Sequence, residues 1–212
     1  MITYYELYVL NRALDGKDIW QVPSFDGISD KLEVISEAKQ SLINKAFLED
    51  SVSFTEKGAR LVRLLDWYKS ADTYFNYQNV WAAILGDGNA VVLVEAARDD
   101  FELSYLTASS ILKHIASSYS FLTNEGSIMD IESRTLKPDE LFSMYFIESR
   151  SGFLVEGTDH RRRTTSCLFF ELNGQSYRYD NRTYELAETN AQTIIDELSS
   201  LLRVKKTGGD KS

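Results

Sequence analysis

The stretch Thr3-Tyr4-Tyr5-Glu6-Leu7-Tyr8-Val9-Leu10, together with Phe54-Thr55-Glu56-Lys57-Gly58, decides the fold of the first third of the chain. A threonine followed three residues later by a glutamate is typical of a capping box, so the first stretch predicts a helix that ends near Gly16. Ser36 is expected to cap a second helix, and Thr55 a third. The first 72 residues are therefore predicted to be helical.

After residue 72 the pattern predicts strands and hairpins. Aromatic and β-branched residues dominate 74–85 and 90–97, and Gly86-Asp87-Gly88-Asn89 between them is a strong hairpin signal. Asn173-Gly174 is the clearest two-residue turn of the chain. The further predicted elements are a strand at 101–106, helices that begin at Thr107 and Pro138, strands at 152–156, 164–172 and 175–179, and a closing helix capped by Thr189 with Gln192.

This alternation predicts the α+β class, with an antiparallel sheet built of hairpins and flanked by helices. The chain has only two prolines and no Pro/Gly-rich linker, so we expect a single domain over 1–204. Its helical part is expected at 1–72, and its sheet with helices at 73–204. Residues 205–212 are expected to form a disordered tail.

The charge and composition exclude several classes of protein. With 23 basic and 32 acidic residues the formal net charge is −9, which disfavours binding to nucleic acid or to an anionic membrane. The longest apolar runs are too short to span a bilayer, and the first residues do not resemble a signal peptide. A single cysteine allows no internal disulfide. We therefore expect a cytoplasmic protein without membrane insertion.

No pattern of chemically active residues predicts a catalytic site. His114 follows Ile111 on a predicted helix and is expected at the surface or the core edge, while His160 falls in a loop between strands. Cys167 lies in an apolar run and is interpreted as a small buried hydrophobe. Asp99 and Asp100 are interpreted as solvated turn residues. We expect no catalytic, cofactor-binding or metal-binding residues, and no enzymatic activity.

The loop residues Arg161, Arg162 and Arg163 locally reverse the acidic charge of the chain. Three adjacent guanidinium groups repel one another, and arginine makes bidentate contacts with carboxylates. The loop is either a solvated strand end or an interaction loop. As a functional hypothesis, these three arginines are predicted to bind a protein partner.

Three motifs carry a resemblance to a known family. They are Tyr4-Tyr5-Glu6-Leu7-x-x-Leu10, then Ser36-Glu37-Ala38-Lys39-x-x-Leu42-Ile43-x-Lys45 with Phe54–Gly58, and Leu168-x-x-Glu171-Leu172-Asn173-Gly174-x-x-Tyr177-x-Tyr179. In these residues the chain resembles the EspG/EsaE-type cytoplasmic chaperones of bacterial type VII secretion systems, nearest their firmicute branch. The resemblance implies a central antiparallel sheet flanked by helical bundles in a quasi-two-fold layout. It also implies that the chain is an adaptor without catalytic residues. Its expected client is a secreted toxin or effector protein.

Two other functions remain open from the sequence. The first is a winged-helix DNA-binding regulator, whose recognition helix would be 36–46 and whose wing would be 47–54. Residues 29–70 contain seven acidic and seven basic side chains, whereas DNA-binding modules usually carry an excess of lysine and arginine. The second is an immunity protein that neutralises a secreted toxin, which would also be acidic and without an active site.

The DNA-binding alternative gives a direct prediction. Because residues 29–70 carry no net positive charge, the chain should show no sequence-dependent binding to duplex DNA at physiological salt in an electrophoretic shift assay. Nanomolar binding that is lost on charge reversal at Lys39 and Lys45 would instead support the winged-helix function.

Overall fold

Helices and antiparallel strands alternate in the computed structural model, which confirms the α+β class. The structure describes residues 1–28, 31–123, 133–149, 151–158 and 163–204. The predicted tail at 205–212 lies outside these ranges. The α-helices of the described residues are α1 (Tyr4–Arg12), α2 (Lys31–Asn44), α3 (Glu56–Lys69), α4 (Ala108–Ser118), α5 (Pro138–Phe142) and α6 (Ala191–Leu201). Short 3-10 turns cover Phe25–Gly27 and Ser120–Leu122, and a π-helical turn covers Ser143–Glu148.

The described strands pair antiparallel wherever their register is resolved. They are β1 (Ile2–Thr3), β2 (Tyr74–Tyr77), β3 (Val80–Ile84), β4 (Asn89–Ala97), β5 (Asp100–Thr107), β6 (Ser133–Thr135), β7 (Ser151–Thr158), β8 (Thr164–Leu172), β9 (Gln175–Asp180) and β10 (Glu185–Thr189). Strands β1, β6 and β10 were not predicted from the sequence. Two of these, β1 and β6, have only two and three residues, which is too short for a period of two to be recognised.

The chain forms two compact units, and each takes residues from several segments. Unit 1 comprises Met1–Ala71, Asn79–Ala83 and Val91–Tyr105, and unit 2 comprises Asp72–Gln78, Ile84–Ala90 and the described residues of Leu106–Ser212. Within unit 1 the strand order is β1-β5-β4-β3, and within unit 2 it is β2-β7-β8-β9-β10-β6. The helical first third is therefore joined in unit 1 by strands from later in the chain.

The predicted capping box at the start of α1 is confirmed and has a second function. Thr3 Oγ1 accepts a hydrogen bond from the Glu6 backbone at 3.2 Å, and Glu6 Oε2 accepts one from the Thr3 backbone at 2.7 Å. The same Oε2 atom accepts a bond from Lys45 Nζ at 2.8 Å, just beyond the end of α2. Because the Glu6 side chain is fully buried, this ion pair ties α1 to α2 inside unit 1.

The Phe54–Gly58 motif is a junction between helices. Thr55 caps α3 by accepting a bond from the Gly58 backbone at 3.0 Å, and its hydroxyl donates to Ala46 O at 2.8 Å. A Cβ on Gly58 would lie 1.9 Å from the backbone oxygen of Phe47, so only glycine fits this contact. The motif thus holds the start of α3 against the end of α2.

The hairpin predictions are partly confirmed. Asn173 and Gly174 have φ angles of 53° and 80°, as a type I′ turn requires, and they join β8 to β9. The single strand predicted at 74–85 is wrong, because a turn at Gln78, whose φ is 54°, separates β2 from β3. The turn consists of Gln78 and Asn79, and the aromatic and β-branched residues on both sides concealed the turn signal of Asn79.

Two predicted helix caps are also wrong. Ser36 lies within α2, which begins at Lys31, and Asn190 rather than Thr189 caps α6 by accepting a bond from the Thr193 backbone at 2.8 Å. In both places several residues of good capping type are close together in the sequence. Local composition indicated the helix but did not select its first residue.

Strand β8 forms the centre of the unit 2 core because it is buried on both faces. One face carries Leu168 and Phe170, which belong to an apolar cluster with Leu136 and Tyr179. The opposite face carries Cys167 and Phe169, both fully buried. A strand covered on both sides reads as a continuous apolar run, which explains why residues 167–170 show no alternation of polar and apolar residues.

The Glu6–Lys45 pair predicts a specific loss of stability. Replacing Lys45 by Met leaves the buried Glu6 charge unpaired, and we expect the free energy of unfolding at neutral pH to fall by about 2 kcal/mol, less than for a fully buried pair because Lys45 is partly exposed. Urea titration measures this loss. The matched variant Lys17→Met removes an exposed partner of Asp15 and should change the stability by no more than about 0.5 kcal/mol.

The same pair has a pH dependence of known sign. Burial alone would raise the pKa of Glu6, but hydrogen bonds from Lys45, Ser41 and the Thr3 backbone lower it below its ordinary value of 4.5. A lowered pKa in the folded state stabilises the protein above pH 4.5, and this contribution is lost as the pH falls through the folded-state pKa. Acidification below pH 4.5 should therefore narrow the stability difference between the wild type and Lys45→Met.

Candidate functional site

The structure places only one of the three predicted partner-binding arginines. Arg161 and Arg162 lie outside the described residues, whereas Arg163 is exposed and directly precedes β8. Arg163 lines a cavity of about 360 Å³ in unit 2, together with Arg182 and Arg203. We call this feature the arginine cavity. Its other two arginines come from the β9–β10 turn and from the residues after α6, so they do not belong to a local run of charge in the sequence.

The remaining candidate residues do not form a chemical site in the part of the chain that the structure describes. His114 is exposed on α4, Asp99 occupies the β4–β5 turn with a φ angle of 62°, and His160 lies outside the described ranges. Within those ranges no group of three or more His, Cys, Asp or Glu residues could hold a metal ion. No described helix combines the length and apolar character needed to cross a membrane.

Cys167 is confirmed as a small buried hydrophobe. Its side chain is fully buried, and its Sγ atom lies 3.7 Å from Glu197 Oε1 on α6. Burial is the main reason that the pKa of this thiol rises to about 12. Glu197 itself forms a two-oxygen ion pair with Arg178, whose Nε atom lies 2.8 Å and 3.1 Å from the two carboxylate oxygens. This group stabilises the packing of α6 on the strands.

An apolar groove of about 320 Å³ lies on unit 1. Its walls are α1, α2 and the loop that follows α2. Six apolar side chains line this groove: Val9, Ala13, Ile35, Leu48, Val52 and Phe54. The other lining residues are Arg12, Lys39 and Ser51, so the described lining contains two basic side chains and no carboxylate. We call this feature the apolar groove.

The loop of the groove is held in place by Asp50. Its Oδ1 atom accepts hydrogen bonds from the backbones of Val52 and Ser53 at 2.8 Å and 2.7 Å, and its Oδ2 atom accepts one from the Ser53 hydroxyl at 3.1 Å. These bonds lower the pKa of Asp50. The result is a fixed turn that leaves the Val52 side chain 78% exposed beside the groove. Because hydrogen bonds hold this turn in place, the exposed Val52 side chain has a defined position. Such a side chain indicates a contact surface.

The groove occupies the segment that the sequence associated with a DNA-binding wing. In the structure, 47–54 has a single antiparallel bridge between Leu48 and Phe54, and Leu48, Val52 and Phe54 all line the groove. Of the two lysines named for DNA contact, Lys45 is paired with the buried Glu6 carboxylate. Its charge is therefore largely neutralised within unit 1, which weakens the case for a phosphate-binding surface.

The apolar groove was not predicted from the sequence. Its residues come from three separated segments, and none of these segments has an unusual composition alone. The sequence contains one indication of it, Asp50-Ser51-Val52-Ser53, in which turn-forming residues lie on both sides of an apolar valine.

The chain belongs to the DUF5081 family, described as a domain of unknown function, whose model matches residues 1–207. No curated protein matches the chain. Because the family match extends across both units, the apolar groove and the arginine cavity both lie within it.

Burial of Cys167 predicts its reactivity. At pH 8 a thiol whose pKa is about 12 is ionised to only about one part in ten thousand, and the folded protein also blocks access to it. We expect negligible reaction with Ellman's reagent in the native protein and complete reaction of this single cysteine in guanidinium chloride. A Cys167→Ala variant sets the background. Rapid labelling of the native protein would contradict the buried position.

Proposed function

We propose that this member of the DUF5081 family is a cytoplasmic chaperone or adaptor that binds a client protein and carries out no catalysis. The proposed client is a toxin or effector exported by a bacterial type VII secretion system, as the resemblance of the three sequence motifs implies. The observation that carries the proposal is the apolar groove of unit 1, in which an ordered turn presents Val52 beside other apolar side chains and two basic ones.

The groove favours a particular kind of client segment. Its apolar lining suits two or three aliphatic or aromatic side chains, since burial of one such side chain contributes about 1.5–3 kcal/mol. Arg12 and Lys39 line the same groove without a carboxylate among its described lining residues. The charge complementarity therefore favours a segment whose apolar residues are flanked by aspartate or glutamate. Such a segment would be shielded from aggregation while it is bound.

The proposed mechanism is binding without turnover. The apolar lining residues would supply most of the affinity, and the two basic residues would select acidic flanks and accelerate association. The Asp50 turn reduces the entropic cost of binding, because the loop is already ordered by three hydrogen bonds in the free protein. Release would then depend on competition by the secretion machinery for the same client segment.

Two alternatives lead to different results. A winged-helix regulator requires DNA binding, which the shift assay described above tests. An immunity protein would bind a toxin and block its activity, whereas a chaperone would maintain the toxin in an exportable form. Measuring toxin activity and toxin export in the presence and absence of this chain separates these two functions.

Replacement of Val52 by Asp tests the groove directly. Because Val52 is 78% exposed, the change should alter the stability by no more than about 0.5 kcal/mol. We expect it to weaken client binding by about tenfold or more, since it removes apolar contact area and repels acidic flanks. The client is found by co-expressing the chain with proteins from neighbouring genes, and the affinities are measured by calorimetric titration.

Leu32 provides a matched control for this experiment. It is 87% exposed on α2 of the same unit but does not line the groove, so Leu32→Asp introduces the same charge elsewhere. Its client affinity should equal that of the wild type. If Val52→Asp binds the client as tightly as the wild type does, the groove is not the client site. If the client is exported equally well without this chain, the chaperone function is rejected.

A further inference from the structure

The lining of the arginine cavity is unusual for an acidic chain. Three arginines, Arg163, Arg182 and Arg203, and six hydroxyl-bearing side chains line it, and none of its described lining residues is a carboxylate. The chain as a whole has 32 acidic and 23 basic residues. A basic concave surface on such a protein favours an anionic ligand, because its described lining residues contribute positive and no negative charge.

The three arginines come from separate elements that the fold brings together. Arg163 precedes β8, Arg182 lies in the turn after β9, and Arg203 follows α6. Arg182 is oriented by a bond from its Nη1 atom to Thr164 O at 2.7 Å, and its backbone donates to Asp180 Oδ1 at 2.8 Å. A guanidinium has five N–H donors, so this bond leaves others for a ligand.

Arg203 occupies a backbone position that usually favours glycine. Its φ angle is 52°, in the left-handed region, directly after the C-cap residue Leu202 of α6. Glycine is the common residue at this position because it has no Cβ, whereas an arginine is less favourable there. The sequence nevertheless places a guanidinium at this point, on the wall of the arginine cavity.

Thr73 supplies a second and independent observation. Its side chain is only 6% exposed and lines the arginine cavity, yet its Oγ1 atom has no hydrogen-bond partner among the described residues. A buried hydroxyl without a partner lowers stability, because it has lost its bonds to water. Rotation of the Thr73 side chain toward the cavity would let a ligand oxygen satisfy this hydroxyl.

We propose that the arginine cavity binds a phosphate group, carried either by inorganic phosphate or by a small phosphate monoester. Guanidinium groups bind phosphate oxygens in bidentate geometry, and threonine hydroxyls donate to the remaining oxygens. Several cationic groups from different elements suit a dianion better than a single carboxylate. A volume of about 360 Å³ also leaves room for an organic group attached to the phosphate. The site lies in unit 2 and does not depend on the client groove of unit 1.

Calorimetric titration with inorganic phosphate and with phenyl phosphate tests this site in the full chain. We expect saturable binding of at least one probe, weakened by added chloride. Tighter binding of phenyl phosphate would assign the cavity to a phosphate monoester, and equal or tighter binding of inorganic phosphate would assign it to the free ion. Absence of saturable binding for both probes would overturn the proposal.

Variants identify the cavity as the place of binding. Arg203→Gln and Arg182→Gln should each weaken phosphate binding by about tenfold or more, since each removes a charged hydrogen-bond donor. Arg98→Gln is the matched control, because Arg98 is 96% exposed and does not line the cavity. If Arg98→Gln and Arg203→Gln lose equal affinity for phosphate, the binding reflects general charge attraction, and the arginine cavity is not the phosphate site.

Thr73→Val separates a ligand-binding hydroxyl from a structural one. Because Thr73 Oγ1 has no described partner in the free protein, its removal should leave the urea midpoint unchanged or raise it. Phosphate affinity should nevertheless fall severalfold. If Thr73→Val binds phosphate as tightly as the wild type does, the hydroxyl does not belong to the phosphate site. The same conclusion follows if the variant loses equal stability with and without phosphate.

Discussion

The apolar groove depends on the buried carboxylate of Glu6. This one group completes the cap of α1 and pairs with Lys45 beyond the end of α2, so it fixes the two helices that form the walls of the groove. Gly58 adds a second constraint, since the contact of α3 with Phe47 O leaves no space for a Cβ. The loop between α2 and α3 is therefore held at both ends, and it is short, ordered and apolar where it lines the groove.

Two concave surfaces of the molecule carry basic side chains although the chain is acidic. The apolar groove of unit 1 combines two basic residues with six apolar ones, which is typical of a surface that binds a protein segment. The arginine cavity of unit 2 combines three arginines with hydroxyl groups, which suits a small anion instead. Their different composition argues for two different ligands. We propose both surfaces as binding sites.

The sequence predicted those elements whose signals are local. The capping box at Thr3 and Glu6, the caps at Thr55 and Thr107 and the turn at Asn173-Gly174 are all confirmed, because each depends on contacts within four residues. The predictions were wrong where several neighbouring residues could begin or cap the same helix. Helix α2 begins at Lys31 and not after Ser36, and α6 is capped by Asn190 and not by Thr189. The break at Gln78 was missed because the strand propensity on both sides is high. The quasi-two-fold layout stays a prediction.

By itself the sequence determined the α+β class and the acidic character, since these follow from short-range periodicity and from composition. Only the tertiary structure decided the two candidate sites. Val9, Ile35 and Val52 are far apart in sequence and meet in one groove, and Arg203 joins Arg163 and Arg182 through the packing of unit 2. The tertiary structure also pairs Lys45 with Glu6, a buried residue 39 positions away. Contacts of this range are set by the packing of the core, and no local pattern of residues encodes them.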